Sequence, residues 1–225
     1  VGDRIKVDPR EERYIQPYPP GPANGGADLE QYRFNWNSPV HMSPTHPDVV
    51  YYGGSVLFRT KDGGTTWDII SPDLSTNDKS KQRSSGGPIS IDNTRAEYHC
   101  TIISIAESPK DSSVIWAGTD DGNLQITRDG GKSWTNVAPN ITGAPKFSWF
   151  SSISASNADA GTAYVTVDQH RLDDFGSYVF ATRDYGKTWQ PISNGLTGYA
   201  HKVLEDPREP SLLYAGTELG VFTSF

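Results

Sequence analysis

The chain lacks most of the residues that announce chemistry. A single cysteine, Cys100, excludes an intrachain disulfide, and its apolar setting in "YHCTIISI" reads as a small buried hydrophobe. The histidines are scattered without the spacing of a metal site, so no metal is expected. No cofactor is expected either, because no glycine-rich loop follows a strand and opens a helix; "DGGK" at 129–132 is not a phosphate cradle. A nucleophilic G-x-S-x-G elbow is missing as well. With 20 Lys and Arg against 27 Asp and Glu, and no basic cluster, the formal charge of −7 argues against nucleic acid as a partner. No apolar run reaches membrane-spanning length, which argues against membrane insertion, and no long amphipathic helix is legible.

What is abundant is rings and chain breakers: 6 Trp, 11 Tyr and 8 Phe beside 22 Gly and 16 Pro, a mixture suited to short strands and tight turns. One phrase recurs: "TKDGGTTW" at 60–67, "TRDGGKSW" at 127–134 and "TRDYGKTW" at 182–189. Upstream of each lies a polar turn followed by a short apolar strand, as in "SPTHPDVVYYGG", "SPKDSSVIWAGT" and "SNADAGTAYVTV", and "DPREPSLLYAGT" begins the pattern again. Each unit thus reads as strand, turn, strand, loop, strand, phrase, strand. The steps between phrases are 67 and 55 residues, and 42 more lead to Ser224. Four strands over roughly 40–50 residues mark the blades of a propeller.

The expectation is therefore an all-β β-propeller of four-stranded antiparallel blades, about three of them complete. Residues 1–31 read as a hairpin and linker from an earlier blade. Blades follow at 32–72, 97–141 and 142–195, with a polar insertion at 73–96 and an incomplete blade at 196–225. The N-terminal hairpin either completes that last blade and closes a ring of four, or belongs to an open arc of a larger ring. The uncovered faces of an open arc count against it.

The repeated phrase has a folding task at every position. Asp62, Asp129 and Asp184 can accept hydrogen bonds from amides of their own turn. Gly64, Gly131 and Gly186 supply positive φ, and Trp67, Trp134 and Trp189 anchor the hairpin between sheets. The pattern S/T-x-D-x-G-x-T-W resembles the Asp-box, or BNR, repeat of sialidases, xyloglucanases and sortilin receptors. The stretches "YRFNWNSPV", "GGPISIDNTRAEYHCTIISIAESP", "AGTDDGNLQITRDGGKSWTNVAPNI" and "AGTELGVF" are more similar still to large bacterial secreted "glycosyl hydrolase" or sortilin-like BNR-repeat proteins. That resemblance implies a secreted, extracellular or periplasmic protein. It also implies a glycan or a peptide or protein as ligand, and further blades or partner chains at the flanks, and it is this resemblance that favours the arc.

In a propeller the first strand of each blade lines the channel and ligands bind at its mouth. Those strands are read as beginning near 33–37, 97–100, 147–150 and 198–202. They offer Arg33, Asn35, Trp36, Asn37, His99, Trp149, Tyr199 and His201 as ligand contacts, or simply as the lining of a solvated channel. A glycosidase needs two facing carboxyl groups. By position Glu97 is the best catalytic candidate, with Asp120, Asp121, Asp173 or Asp174 as possible partners.

Overall fold

The computed structural model describes residues 3–5, 12–17, 31–87, 89–90 and 93–224. β1 (Asp3–Ile5) and β2 (Glu12–Tyr14) pair antiparallel. Three four-stranded meanders follow. The first holds β3 (Val40–Met42), β4 (Val50–Gly53), β5 (Leu57–Thr60) and β6 (Asp68–Ile69). The second holds β7 (Ile102–Ser108), β8 (Asp111–Thr119), β9 (Leu124–Thr127) and β10 (Thr135–Asn136). The third holds β11 (Ser152–Ala155), β12 (Ala163–Val167), β13 (Tyr178–Thr182) and β14 (Gln190–Pro191). A three-stranded sheet comes last, from β15 (Ala200–Glu205), β16 (Leu213–Thr217) and β17 (Gly220–Ser224). Apart from 3₁₀ turns at 79–81, 138–140 and 170–172, the described residues form no helix. The chain is an all-β arc of a propeller.

The cores lie between blades. Tyr51, Leu57 and Ile70 of the first blade meet Ile102, Ile105 and Ile115 of the second. Trp116, Leu124 and Ile126 of the second meet Val165, Phe180 and Trp189 of the third. Tyr164 and Val179 of the third meet Ala200 and Val203 of the last. A blade covered on both faces needs apolar residues on both, so β7 and β12 are buried at every position. At the flanks β3 and β17 are mostly exposed.

The repeated phrase folds alike three times. In the second blade Thr127 Oγ1 donates to Asp129 Oδ1 (2.7 Å) and accepts from the Gly131 amide (3.0 Å), while the Ser133 amide donates to Asp129 Oδ1 (2.9 Å). Asp62 and Asp184 hold the same bonds to Thr60, Thr66, Thr182 and Thr188. The glycines sit at φ 86, 99 and 80°, a region open to glycine at little cost.

Each hairpin also latches onto the preceding blade. Trp134 Nε1 donates to the Ile70 carbonyl (3.0 Å), and a Cβ on Gly131 would lie 2.5 Å from that same oxygen. Trp67 Nε1 donates likewise to the Ile15 carbonyl (2.9 Å), and Gly64 sits against Ile15. In the third hairpin Gly186 sits on Val137, but Trp189 Nε1 turns to its own Gly186 carbonyl (3.1 Å). There Asn140 Nδ2 crosses the seam to that carbonyl instead (2.8 Å).

Ile15 therefore occupies the place of Ile70 and Val137, just after a fourth strand. The pairing agrees: Asp3 faces Tyr14 as Phe58 faces Ile69, and Ile5 to Glu12 spans the same eight residues as Thr60 to Trp67. β1 and β2 are thus the third and fourth strands of a blade, whereas β15–β17 are a first, second and third. Joining the two groups would supply a third strand twice, so the N-terminal hairpin does not complete the last blade.

Candidate functional site

In an up-and-down blade, the hairpins joining strands one to two and three to four lie at one end. The two-to-three hairpins and the links between blades lie at the other. The first end is the rim of the Thr-x-Asp-x-Gly turns, where the Gly130 amide donates to Ser113 O (2.9 Å) and the Tyr185 amide to Gly161 O (2.9 Å). The second end carries the links at 70–101 and 137–151 and the two-to-three hairpin at 168–177. Between the two ends runs a cavity of about 470 Å³ lined by β3, β7, β11 and β15, with Ile103, Ile105, Ile153 and Leu204 beside Ser104, Ser152 and His41.

The inner strands begin at Val40, Ile102, Ser152 and Ala200, so three of the stretches expected to open them lie ahead of them, and the fourth, 198–202, overlaps β15 only from Ala200. The stretches at 33–37 and 97–100 meet through one backbone bridge, Asn35 to Glu97, and through side-chain bonds from Asn35 to the Tyr98 carbonyl (3.2 Å) and from Arg33 to the Cys100 carbonyl. They belong to the links that build the rim.

Two histidine–aspartate groups dominate this rim. Asp120, buried, accepts from the Thr101 amide (2.8 Å) and Oγ1 (3.0 Å), with His99 Nδ1 3.3 Å away and Asn35 Nδ2 at 3.5 Å. That bond to Asp120, opposed by burial, raises the pKa of His99 above its ordinary 6.5. Asp168 serves two rings: His170 Nδ1 lies 2.5 Å from one oxygen and His201 Nδ1 3.1 Å from the other. A carboxylate only accepts, so the His170 ring bonded to it carries a proton on Nδ1 and in the neutral form keeps Nε2 as an acceptor, while His201 turns its Nδ1 to the other oxygen. Tyr199 stacks on His170 at 4.6 Å and meets His201 edge-on at 4.8 Å. Beside them a smaller cavity of about 200 Å³ is lined by His99, Asp120, Trp149 and Asp168.

His99, Trp149, Tyr199 and His201 thus come together on one rim, and Asn35 joins them through Asp120. Trp36 stands exposed, and Asn37 is exposed with its amide on Asn35 Oδ1 (3.0 Å). Arg33 is buried: its guanidinium pairs with Asp73 (2.5 Å) and donates to the Cys100 carbonyl (3.2 Å), tying the insertion to the first blade. Glu97 accepts from the Thr94 amide (2.7 Å), Thr94 Oγ1 (2.6 Å) and the Ala96 amide (3.1 Å). Burial opposes ionisation of Glu97, yet these bonds together hold its pKa below 4.5. Asp121 is taken by Thr76 (2.8 and 2.7 Å) and Thr119 (2.7 Å), and Asp174 by the Gly176 amide (3.0 Å) and Tyr178 Oη (2.9 Å). Asp168, His170, Arg171 and Phe147 are additions to the site. For the first three the signal in the sequence is the extra length of "DQHRLDDFGS" between β12 and β13, while Phe147 opens the link that carries Trp149.

Backbone strain concentrates on the same rim. Of the six described non-glycine residues at positive φ, five lie in its loops: Asn77, Arg95, Cys100, Phe147 and Asp173. Such residues persist where surrounding contacts over-determine them, and they cluster at functional sites.

With fold and rim in view, the chain is a segment of a β-propeller, and its fold is similar to that of GH74 enzymes. No family model matches it. It is 22% identical over 182 residues to an oligoxyloglucan-reducing end-specific xyloglucanase of Emericella nidulans, covering 76% of this chain and 19% of that protein. A probable enzyme of the same name from Neosartorya fischeri is 24% identical over 191 residues, covering 74% of this chain and 23% of that one. The chain therefore spans about a fifth of the length of these curated relatives. Among solved structures, an ancestral GH74 enzyme superposes with a TM-score of 0.59 at 18% identity, over 88% of this chain and 24% of that one. The GH74 xyloglucanase of Xanthomonas campestris gives 0.52 at 18%, over 78% and 26%.

Proposed function

We propose that the rim built by the blade links and the two-to-three hairpins binds a glycan. The observation that carries this reading is the grouping of His99, His170 and His201, each fixed by an aspartate, around Trp149 and Tyr199. Neutral imidazoles anchored through Nδ1 offer Nε2 to sugar hydroxyls, and rings beside them supply apolar faces. The likeness to proteins named xyloglucanases supports a carbohydrate as the ligand class, and an extracellular or periplasmic location goes with it.

Binding fits the carboxyl groups better than hydrolysis does. A glycosidase acid needs a raised pKa. Glu97 is instead a depressed carboxylate that caps its own turn, and Asp120 and Asp168 are engaged by histidines. A second reading, capture of a peptide or protein in the manner of sortilin receptors, is favoured by the exposed Trp36, Phe147, Leu172 and Phe175.

Screening the chain on a glycan array, followed by NMR titration of the hits, tests the proposal. We expect sugar binding that weakens at least tenfold in His201→Ala, and no hydrolysis that depends on Glu97. Absence of binding to any glycan at millimolar concentration, with a peptide bound instead, would overturn it.

A further inference from the structure

The rings of the small cavity are not bare platforms. Lys81 Nζ lies 4.0 Å from the centre of the Phe147 ring, and the Arg171 guanidinium lies 4.5 Å from that of Trp149. A sugar stacking on either covered face would first have to displace a cation. Both cations line the cavity of about 200 Å³, and among the described residues neither makes an ion pair. The acids that share the cavity are already answered, Asp120 by His99 and Asp168 by His170 and His201. An incoming anion therefore meets two positive heads, each resting on a ring and in no ion pair, set against carboxylates that already face histidine nitrogens. The space is below the ~300–1,000 Å³ of common small-molecule sites, so it suits one ring, not a chain.

Resting on the glycan reading above, we propose that this cavity recognises a sugar residue bearing a carboxylate, a uronate, held between Lys81 and Arg171. Arginine presents a planar fork that matches a carboxylate, lysine a point charge, and both bonds are charge-assisted. The rings beneath keep the two heads in place, which lowers the entropy lost on binding. The sugar hydroxyls then face the imidazoles of the rim.

The test compares methyl glucuronoside, methyl glucoside and inorganic sulfate by NMR titration of the whole chain. The glucuronoside is expected to bind about tenfold more tightly than the glucoside, equivalent to about 1.4 kcal/mol. The preference should shrink with added salt. Arg171→Gln and Lys81→Gln, each checked for an unchanged melting curve, should bring the two sugars towards equal affinity, the glucuronoside losing about tenfold and the glucoside much less. Equal affinities in the native chain would overturn uronate recognition and leave the glycan reading standing. No response to either sugar would overturn both. Sulfate binding as tightly as the glucuronoside would overturn the inference by showing a site for anions indifferent to the sugar.

Discussion

Tyr51 Oη donates to Glu107 Oε2 at 2.7 Å, joining the second strand of one blade to the first strand of the next. Glu107 is fully buried and also accepts from Ser43 Oγ (2.8 Å) and Thr45 Oγ1. Burial raises the pKa of Tyr51 above its ordinary value, and the carboxylate reinforces the shift. Two blades on, Glu205 stands in the same relation to Tyr164 and accepts from the Asn157 amide (2.6 Å). A glutamate at the end of the first strand thus clamps the preceding blade in two seams.

Tyr51→Phe removes one donor from a buried carboxylate and leaves the rest in place. We expect a loss of about 1.5–3 kcal/mol in urea unfolding, the range for hydrogen bonds to charged groups. A change within error would show that water replaces the hydroxyl.

Two neighbouring glycines in one turn should respond very differently. Both Gly130 (φ 72°) and Gly131 (φ 99°) are left-handed. A Cβ on Gly130 would touch nothing within 4 Å, whereas on Gly131 it would lie 2.5 Å from the Ile70 carbonyl oxygen. Gly130→Ala is expected to lose only the left-handed penalty, about 1–2 kcal/mol. Gly131→Ala adds a seam clash of about 1–3 kcal/mol. Equal melting temperatures for the two variants would refute the latch.

Acid should loosen the turns. Asp62 and Asp129 are each lowered from 3.8 to about 2, chiefly by bonds from Thr66 and Ser133, and Asp184 shifts in the same direction through Thr188. A depressed carboxylate contributes stability fully above its unfolded value and loses it as pH falls through the folded one. Tryptophan fluorescence in moderate urea should therefore report a falling midpoint between about pH 4 and 2. Asp129→Asn should lower the midpoint at neutral pH and flatten that acid limb.

His99 titrates in the opposite sense. Its pKa is raised by Asp120, so its contribution is complete below pH 6.5 and fades as pH rises through the folded value. Asp120→Asn removes the partner and leaves burial, which lowers a histidine. Imidazole NMR should show the pKa of His99 dropping; an unmoved value would detach it from Asp120.

Cys100 should be inert. It is fully buried, and burial together with the nearby Asp121 carboxylate pushes its thiol up to about 11. A thiol reagent at pH 8 should label it only in denaturant.

The blades were legible because each Thr-x-Asp-x-Gly turn is local: donor and acceptor lie within four residues, so one window of sequence contains the whole bond network. The rim was legible only in part. His99, Trp149, Tyr199 and His201 could be placed near the mouth by position along the repeat. The pairings that define their chemistry join residues far apart, as His201 to Asp168, and no periodicity records them. Arg33 and Glu97 show the same limit from the other side. The ion pair of Arg33 with Asp73 spans 40 residues, and the commitment of Glu97 depends on a turn whose geometry composition does not reveal. The expected strand starts ran early because the lead-ins share the aromatic character of the strands while their hydrogen bonds go to loops.

The seam bonds of the tryptophans also govern how the molecule comes apart. Every indole or carboxamide bridge joins a blade only to its immediate neighbour, so cohesion is pairwise along a line. Such an array melts from its flanks inward, and a weakened seam divides it into two cooperative blocks. The seam carrying Asn140 in place of an indole shares the largest apolar cluster, so the division should fall instead at the last seam, where only Tyr164, Val179, Ala181, Ala200 and Val203 form the buried core.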